Sequence, residues 1–597
     1  MTRLPFHLNN PVPERFRGFR TRAFLVVLVI IGWGLALGWR ALHLQVFQHS
    51  RLSSLAQKQS QRVITIKGKR GTILDRQGQP LAVSVKSDSF FARPQLIPEP
   101  EITSRILGDI LGIRAEEIQA KLGGSSPFVW IKRQMSSGQA ERIRALDLPG
   151  IGFTQEYRRI YPSRTLAASL LGFTGIDNQG LEGLEYAYDS YLRGGERTQV
   201  VDVDALGRRV VASENDFPSG GNTLKLTIHP GIQYIAEQEL ARAVTRWQAI
   251  RGIAIVISSD NGEILAMAQS PGFNPNSFQD YDKSAFFNRA ITSGYEPGST
   301  FKVITAAAAL EAAAIQPDDQ VFCEEGVFQH FDSVIHDTKP HRLLKLEGIL
   351  RVSSNICAAK VGMAMPVRAF HGYIERFGFG IRTGIYNTRE GYRLDGEADG
   401  YVLPPEKWTP IDHAAISFGH GILVSPLQLI MAVNTIATGG TLLKPILVRE
   451  IYDSEGKGVE KRKSRVVRRI LSPTTAGLVR DYMVAAVGPE GTGPEARVEG
   501  YQVAGKTGTT EKYDIKARGY SKTRQNASFV GFLPAYRPEL TILVLIEEPQ
   551  EGHYGGTVAA PVFREIARRA LPLIGVWPEE GVKRIALQKQ ERTPASN

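Results

Sequence analysis

The stretch Pro297–Ala314, PGSTFKVITAAAALEAAA, contains a serine and a lysine three residues apart at the head of an alanine-rich segment. Alanine has the highest helix propensity, so the segment predicts a helix that begins near Ser299. A spacing of three residues places the Ser299 hydroxyl and the Lys302 amine on one helical face. A serine hydroxyl becomes a good nucleophile when a base removes its proton, and a lysine whose pKa is lowered by burial can do so. The stretch therefore predicts a nucleophile at a helix N-terminus, where free N–H groups favour developing negative charge.

The S-x-x-K element gains weight from two further elements downstream. On its own the S-x-x-K spacing is weak evidence for a nucleophile and its base, because Ser454–Lys457 (SEGK) has the same spacing in a charged, Gly-containing turn. Ser353-Ser354-Asn355 lies at the start of a second helical stretch, and Lys506–Thr509 (KTGT) lies on a strand-like segment. The order S-x-x-K, S-x-N, K-T-G is that of β-lactamases and penicillin-binding proteins. The alternatives are helix capping for the S-S-N element and a surface lysine on an edge strand for Lys506.

Another S-x-N triplet, Ser259-Asp260-Asn261, precedes Ser299 in the chain and spells the S-D-N form of the second element. It stands between two strand-like segments and is followed by Gly262, so it is typical of a hairpin turn. We therefore expect a structural turn here, and the S-S-N variant as the second chemical element.

Strand-like runs flank this helical material. The five segments are compatible with one antiparallel sheet, and the helical insertion between the second and third predicts an α/β or α+β domain of about 350 residues. These segments are IAIVIS (253–258), EILAMA (263–268), QVAGKTGT (502–509), ASFVGF (527–532) and LTILVLI (540–546).

The region before this domain reads as mixed short strands and helices. Residues 62–85 alternate like a strand, turn at Asp75–Gly78 and resume as a strand. Pro218–Gly221 (PSGG) is the clearest linker signal in the chain.

The N-terminal region contains one apolar run, Ala23–Trp39, of 17 uncharged residues. It spans roughly 26 Å as a helix, which is enough for a bilayer core. The excess of arginine just before it predicts a cytoplasmic N-terminus and an extracytoplasmic body. The alternative is a cleaved signal peptide with a processing site at Ala36–Gly38, but the helical pattern continues through that site.

Composition limits the remaining function classes. The chain has 597 residues, 42% of them hydrophobic and 22% charged, which excludes wholesale disorder. Two cysteines exclude a disulfide scaffold, and the absence of H-E-x-x-H argues against a catalytic metal. The net charge of +12 fits several polyanionic partners and does not choose among them. The basic stretch Lys461–Arg465 is interpreted as a solvated hairpin edge, with a polyanion contact as the alternative.

With these elements in place, the chain resembles the class B penicillin-binding proteins, membrane-anchored peptidoglycan D,D-transpeptidases, over roughly residues 62–570. Family-like segments occur in the expected order: RGTILDRQGQPLA (70–82), RIYP (159–162), GLEGLEYAYDSYLRG (180–194), GEILAMAQSPGFNPN (262–276), NRAITSGYEPGSTFK (288–302), FGHGILVSPLQL (418–429), NASFVGFLPA (526–535) and GGTVAAPVFREIA (555–567).

The resemblance implies a multidomain, membrane-anchored fold: a single N-terminal transmembrane helix, a mixed α/β pedestal, and an α/β transpeptidase domain with a five-stranded antiparallel sheet, like that of serine β-lactamases. We expect residues 1–22 in the cytoplasm and 23–44 in the membrane. We expect residues 45–221 to form the non-catalytic, partner-binding pedestal and 222–578 the transpeptidase domain. Residues 579–597 would form a C-terminal tail.

The resemblance also implies roles for the site residues. Ser299 would be acylated, with Lys302 as its base, and Ser353 would pass a proton to the leaving D-alanine nitrogen. Lys506 would keep Lys302 neutral and orient Ser353. The substrate-binding residues would be Asn355, Thr507, Gly508 and Thr509, with an oxyanion hole formed by the N–H groups of Ser299 and Thr509. No cofactor or metal is expected.

Two residues near these motifs have more than one interpretation. Cys357, two residues after Asn355, is expected to be a buried packing residue rather than a reactive thiol. Whether Cys357 pairs with Cys323 is left open by the sequence. His420 in Phe418–Gly421 (FGHG) is equally compatible with substrate contact and with an ordinary loop position.

Within the family, GFTGIDNQGLEGLE (172–185) resembles the septal, FtsI-type enzymes, as does a chain that ends soon after the catalytic domain. The expected substrates are peptidoglycan stem peptides ending in D-Ala-D-Ala, with β-lactams as inhibitors. The expected partners are an FtsW-type glycosyltransferase and other divisome membrane proteins, without nucleic acid. The alternatives are an elongation-type enzyme, a D,D-carboxypeptidase or β-lactamase, and a non-catalytic scaffold. The acceptor amine and the oligomeric state are not determined by the sequence.

Overall fold

The computed structural model describes residues 15–202, 218–386, 396–514 and 519–578. Most of the expected cytoplasmic segment and the whole of the expected tail, 579–597, lie outside these ranges. The chain divides into two units, which are described separately. The first comprises the chain up to Lys67 with Gly195–Pro218, and the second comprises Gly68–Gly194 with the chain from Ser219 onward.

The helices of the described residues are α1 (Arg15–Leu42), α2 (His49–Ser60), α3 (Pro100–Leu111), α4 (Ala115–Leu122), α5 (Ser137–Arg144), α6 (Ala168–Leu171), α7 (Gly183–Ala187), α8 (Asp189–Leu192), α9 (Pro230–Arg246), α10 (Arg289–Thr292), α11 (Lys302–Glu311), α12 (Leu346–Val352), α13 (Asn355–Met363), α14 (Val367–Arg376), α15 (Pro410–Ser417), α16 (Pro426–Ala437), α17 (Pro473–Val487), α18 (Gly555–Val558) and α19 (Ala560–Ala570).

The strands of the described residues are β1 (Gln61–Lys67), β2 (Ile73–Leu74), β3 (Pro80–Ala92), β4 (Val129–Met135), β5 (Ile151–Ile160), β6 (Glu196–Asp202), β7 (Thr223–Leu226), β8 (Arg251–Ser258), β9 (Ile264–Ser270), β10 (Val321–Phe322), β11 (Val327–His330), β12 (Ser333–His336), β13 (Leu343–Leu344), β14 (Thr441–Leu443), β15 (Val448–Tyr452), β16 (Gly458–Lys461), β17 (Val466–Arg469), β18 (Ala504–Asp514), β19 (Gly519–Leu533) and β20 (Leu540–Glu547).

The first unit is built on one long apolar helix. Helix α1 passes into a π-helical turn, His43–Phe47, and residues Thr21–Phe47 are long enough and apolar enough to cross a membrane, with a mean hydropathy of 2.0. The helix is continuous across residues 36–38, where a signal peptide would be cut. The unit also contains α2 and an antiparallel pair of strands, β1 and β6.

Residues 62–85 do not form the strand, turn and strand that the sequence predicts. The turn after Asp75 is present, with the Asp75 carboxylate accepting the N–H groups of Gln77 and Gln79, but the run before it is not one strand. Strand β1 pairs with β6 in the first unit, and only β2 pairs with β3. Between β1 and β2 the chain passes close to other backbone at Gly71, where a Cβ would lie 1.9 Å from the Asn222 carbonyl oxygen.

In the second unit a seven-stranded sheet crosses the expected boundary near residue 221. Its order is β16-β15-β7-β2-β3-β4, with β5 also paired to β3. Strand β7 follows the PSGG stretch directly and pairs with β2 in parallel and with β15 in antiparallel fashion. The stretch at 218–221 is therefore the entry into a shared sheet rather than a free linker.

Three buried charged side chains and one partly buried carboxylate join the three pedestal segments quoted above. We call Arg70, Arg159, Glu185 and Asp189 the pedestal ion cluster. The Glu185 carboxylate accepts hydrogen bonds from Arg70 Nε and Arg159 Nε, each at 2.6 Å, and Arg70 Nη1 lies 2.6 Å from Asp189. Because each arginine faces a carboxylate, the cost of burying these charges is offset within the cluster.

The five strand segments predicted from the sequence form one antiparallel sheet in the order β18-β19-β20-β8-β9. Side chains alternate across it: Ile253, Ile255 and Ile257 of β8 face the larger core, whereas Ala254 and Val256 face a second core. Helices α11 and α16 pack on the first face, and α9 and α19 on the second.

The S-D-N triplet forms a turn, as predicted. Residues 259–261 connect β8 and β9, the Asn261 side chain accepts the Glu263 N–H at 2.9 Å, and Gly262 has φ of +75°. The Ser259 hydroxyl is buried against Thr541 of β20, at 2.9 Å. The triplet is therefore built into the sheet.

Candidate active site

Ser299 lies in a 3-10 turn, Gly298–Thr300, that leads into α11. The turn packs against β18 so closely that a Cβ on Gly298 would lie 2.4 Å from Thr510 Oγ1. Gly298 has φ of +55°, and its N–H donates to the Gly419 carbonyl at 3.0 Å. Because glycine has no Cβ and tolerates a positive φ, residue 298 can pack between this strand and the FGHG loop, next to the half-buried Ser299.

The Lys302 amine is enclosed by the S-S-N element. Its side chain is 1% exposed, and Nζ donates to the Ser353 carbonyl at 2.6 Å and to Asn355 Oδ1 at 2.7 Å, with Ser353 Oγ at 3.4 Å. These contacts bring the first two sequence elements together. Ser299 lies in the turn and Lys302, three residues later, is the first residue of α11, so the two residues are about one helical turn apart along the chain.

Ser353 is held in an unusual backbone conformation between α12 and α13. Its φ of +63° is in the left-handed region, which costs a non-glycine residue energy and often occurs at functional sites. The helix cap is provided by its neighbour instead, because Ser354 Oγ accepts the Cys357 N–H at 3.0 Å. Helix capping therefore accounts for Ser354 and leaves the Ser353 hydroxyl facing the two lysines.

Lys506 occupies the edge strand β18 but is only 1% exposed, so it is not a surface lysine. Its Nζ donates to Ser353 Oγ at 2.9 Å and lies 3.2 Å from the Thr507 carbonyl oxygen. Ser353 Oγ is thus shared by Lys506 and Lys302, and the three sequence elements meet at this hydroxyl.

Burial shifts the titration of both amines. Desolvation, followed by the nearby charge of Lys506, lowers the pKa of Lys302 well below that of an ordinary lysine, while Asp337 opposes this shift. Desolvation also lowers the pKa of Lys506 to about 7. Two like-charged groups in one dry site disfavour double protonation, so a neutral amine is accessible at physiological pH.

The rest of the K-T-G-T element is fixed by close packing. A Cβ on Gly508 would lie 2.3 Å from Ser528 Oγ and 2.9 Å from Thr300 Cγ2, so glycine is needed where the serine turn meets the strand. The Thr507 hydroxyl lies 2.7 Å from that of Thr492. Thr509 Oγ1 accepts the Gly555 N–H at 3.1 Å, which leaves its own hydroxyl proton free to donate.

His420 belongs to a polar group beside the serine turn. The Glu296 carboxylate accepts the Gly421 N–H at 2.9 Å and the Tyr520 hydroxyl at 3.0 Å, and the His420 and Tyr520 rings are 5.4 Å apart. Burial, with a smaller effect of Lys302, lowers the pKa of His420 to about 4, so its imidazole is neutral at pH 7. These contacts form one wall of the site.

Cys323 and Cys357 form a disulfide bond, which answers the question that the sequence left open. Cys357 is fully buried in α13, so the expectation of a buried, unreactive cysteine agrees with its position. The bond ties the helix that begins at Asn355 to the segment after β10.

Asp337 and Thr492 are among the residues at the site that sequence reasoning did not find. Asp337 accepts hydrogen bonds from Ser354 and from the N–H groups of Asn355 and Ile356, and Thr492 contacts Thr507. Asp337 precedes Asn355 by 18 residues and has no motif of its own, so no local pattern marks it. Among the described residues, no group of three or more His, Cys, Asp or Glu side chains is placed to hold a metal ion.

Comparison with known protein families identifies two domains in the chain. Residues 252–568 match the penicillin-binding protein transpeptidase domain, and residues 65–226 match the penicillin-binding protein dimerisation domain. The mixed pedestal followed by an α/β transpeptidase domain, expected from the sequence, is thereby confirmed.

Related proteins share most of the chain's length. The stage V sporulation protein D of Bacillus subtilis is 34% identical over 94% of this chain and 87% of its own. The peptidoglycan D,D-transpeptidase FtsI of Escherichia coli is 32% identical over 93% of this chain and 92% of its own. The crystal structure of penicillin-binding protein 3 from Mycobacterium tuberculosis, complexed with aztreonam, is 25% identical with a TM-score of 0.66, and the match covers 86% of this chain and 98% of that one. The chain belongs to the class B penicillin-binding proteins, the peptidoglycan D,D-transpeptidases.

Proposed function

We propose that this transpeptidase cross-links stem peptides during septal cell-wall synthesis, through an acyl-enzyme on Ser299. The observation that carries the catalytic part is the shared Ser353 hydroxyl, which accepts from Lys506 at 2.9 Å and lies 3.4 Å from the buried Lys302 amine. The three sequence elements thus supply a nucleophile, a base and a proton relay at one point.

Lys302 acts as the base in its neutral form. A neutral amine has two N–H donors and one lone pair. The donors are engaged by the Ser353 carbonyl and Asn355 Oδ1, which leaves the lone pair to accept the Ser299 proton. Ser299 Oγ then attacks the carbonyl carbon of the penultimate D-alanine, and the backbone N–H groups of Ser299 and Thr509 stabilise the oxyanion.

The leaving group departs through Ser353. As the bond to the terminal D-alanine breaks, the Ser353 hydroxyl donates its proton to the leaving nitrogen, and the protonated Lys302 restores it. Lys506 holds Ser353 in place for this transfer. An acceptor amine from a second stem peptide then attacks the ester, the cross-link forms, and Ser299 regains its proton.

Substrate binding uses the edges of the same site. Asn355 binds the donor peptide's amide, and the hydroxyls of Thr507 and Thr509 bind its terminal carboxylate, beside the positive charge of Lys506. Gly508 allows the close approach between strand and serine turn on which this arrangement depends.

The septal role rests on the pedestal. The segment from Gly172 to Glu185 resembles FtsI-type enzymes, and FtsI of E. coli is a relative over most of the chain. In this proposal α1 anchors the protein in the cytoplasmic membrane with its N-terminus in the cytoplasm. The pedestal contacts an FtsW-type glycosyltransferase and other divisome proteins.

The catalytic assignment is tested with a fluorescent penicillin and the full-length protein in detergent. The wild-type protein should form a long-lived covalent adduct on a denaturing gel, and Ser299→Ala should form none while retaining a normal thermal unfolding transition. Rapid loss of the adduct would instead indicate a β-lactamase, and labelling of the folded Ser299→Ala protein would contradict the nucleophile assignment.

The septal assignment is tested by depletion. Cells without the protein should grow but fail to septate, giving filaments in a rod or enlarged cells in a coccus, and a fluorescent fusion should concentrate at midcell. A rod that becomes round while septa still form would indicate the elongation role, with the chemistry at Ser299 unchanged.

A further inference from the structure

We propose that Asp337 is a positioning residue for acylation, which holds the S-S-N element in the orientation that engages Lys302. The inference rests on the proposed function, because it assumes that Lys302 and Asn355 serve the Ser299 reaction. Asp337 lies directly after β12, on a different element from every residue that the sequence motifs identify.

Asp337 caps α13 from outside the helix. Its Oδ1 accepts the N–H groups of Asn355 at 2.5 Å and Ile356 at 3.1 Å, and its Oδ2 accepts the Ser354 hydroxyl at 2.5 Å. The first N–H groups of a helix have no partner within it, and a carboxylate there also interacts favourably with the helix dipole. One side chain thus satisfies three donors at the point where α13 begins.

The neighbouring residue fixes the Asn355 side chain. The His336 carbonyl accepts from Asn355 Nδ2 at 3.0 Å, which directs Oδ1 toward Lys302 Nζ at 2.7 Å. The end of β12 therefore holds Asn355 both by its backbone and by its amide. If the first turn of α13 were not held in place, Lys302 would lose Asn355 Oδ1, one of the two acceptors that orient its amine.

The segment that carries Asp337 is tied to α13 at a second place. Residues 321–337, which we call the strap, are joined to α13 by the Cys323–Cys357 disulfide, and Lys360 of α13 donates to the Phe322 carbonyl at 2.8 Å. Lys360 also forms an ion pair with Glu324. Because the strap is braced by these contacts, the position of Asp337 relative to Asn355 is well defined.

Glu311 offers a matched control elsewhere in the same domain. Its carboxylate caps α17 from outside that helix, accepting the Ser472 N–H at 3.0 Å and the Ser472 hydroxyl at 3.1 Å. The chemistry resembles that of Asp337, but α17 contains none of the proposed site residues. A purely structural cap at Asp337 should therefore behave like the cap at Glu311.

The test compares Asp337→Ala, Asp337→Asn and Glu311→Ala in the full-length protein, with a fluorescent penicillin as the probe. Stopped-flow acylation over a range of probe concentrations separates the acylation rate constant from the dissociation constant of the non-covalent complex. We expect Asp337→Ala to lower the rate constant at least tenfold and to change the dissociation constant less than threefold. Asp337→Asn, which keeps one acceptor oxygen, should fall between wild type and Ala. Glu311→Ala should acylate within twofold of wild type, while both alanine variants lower the melting temperature.

An acylation rate constant within twofold of wild type in folded Asp337→Ala would overturn the proposal, as would equal losses in Asp337→Ala and Glu311→Ala. If Asp337→Ala does not fold, Asp337→Asn decides: at least a threefold loss of rate constant supports the proposal, and a smaller loss overturns it. Failure of the proposed function is recognised separately, because wild-type protein would then form no adduct on Ser299 at all.

Discussion

The pedestal ion cluster and the pair Lys302–Lys506 both place titratable side chains away from solvent. The unfavourable free energy of burying a charge is offset differently in the two groups. In the pedestal, two arginines face two carboxylates at 2.6 Å. At the active site, two lysines converge on one neutral serine hydroxyl. Burial of a charge without an oppositely charged partner is unfavourable, so burial favours the neutral, deprotonated form of a lysine.

Titration separates the two clusters accordingly. Burial lowers the pKa of Arg70, but ion pairs with Glu185 and Asp189 outweigh it and raise the pKa overall, so the guanidinium stays charged. Burial lowers the pKa of both lysines, and their mutual repulsion adds to the shift at Lys302. Arginines buried beside carboxylates keep their charge and serve as a scaffold. Two lysines buried together instead favour a neutral amine, which can accept a proton.

The largest expected effect comes from breaking the paired cluster. Glu185→Ala leaves the buried Arg159 without its carboxylate partner and Arg70 paired with Asp189, and should lower the free energy of unfolding by about 3–5 kcal/mol. Denaturant unfolding measures the change. The exposed pair Arg105–Glu101 on α3 is the control, because Glu101→Ala should cost less than about 1 kcal/mol. Equal effects of the two substitutions would show that the pedestal ion cluster does not stabilise the fold.

The next effect concerns the disulfide beside the lysine pair. The strap beside the lysine pair is braced covalently, by the disulfide between Cys323 and Cys357, which are 34 residues apart in sequence. Removing a cross-link of this span, as in Cys357→Ser, should lower the free energy of unfolding by about 3–4 kcal/mol, by the loss of constraint on the unfolded chain. Unfolding with and without reductant measures it. If complete reduction of the Cys323–Cys357 disulfide leaves the free energy of unfolding of the wild-type protein unchanged, this expectation is wrong.

A smaller effect is expected from removing one of the two like charges. Lys506→Ala should slow acylation about a hundredfold, equivalent to about 2.7 kcal/mol, because Ser353 loses its donor. In the proposed mechanism Lys302 acts as a neutral base, so the acylation rate should fall as pH drops through its pKa. Without Lys506 that pKa rises, and the acid limb of the pH profile should move to higher pH. Lys512→Ala, on the same strand but paired with Glu548, should acylate within threefold of wild type.

The acid limb of the pH–rate profile depends on the titratable groups that face Lys302. They are Lys506 from β18, Asp337 from the end of β12 and, more weakly, His420 from the loop after α15. His420 stays neutral above about pH 5 because burial lowers its pKa to about 4. A shift of the acid limb to lower pH in Lys506→Ala would show that like-charge repulsion is not what lowers the pKa of Lys302.

Sequence reasoning found the features that repeat locally. Strand-like runs in the sequence located all five strands of the transpeptidase sheet, and the turn chemistry at Asp260 and Asn261 identified the hairpin. The transpeptidase domain and the pedestal were likewise recognisable from motif order, and they match the transpeptidase and dimerisation family models.

Features that depend on distant parts of the chain were not predictable. Strand β2 is only two residues long, and its partner β7 lies about 150 residues later, so the alternating run at 62–85 could not reveal where it breaks. Asp337 is assigned only by its contacts with α13, and the left-handed backbone of Ser353 is imposed by the junction of two helices. These are tertiary constraints that leave no periodic signal.

The smallest expected effect is at the S-D-N turn, which has the sequence of a catalytic element but contacts no buried lysine among the residues that the structure describes. Its polar groups are used locally: Ser258 Oγ donates to Asp260 Oδ1 at 2.5 Å, and Asn261 accepts the Glu263 N–H. Replacing Asp260 and Asn261 with glycine should change only the turn's stability, since glycine also adopts turn conformations. The acylation rate constant for the fluorescent penicillin should remain within several-fold of wild type. A loss of a hundredfold or more, about 2.7 kcal/mol of barrier, would mean that this triplet, and not Ser353–Asn355, supplies the second catalytic element.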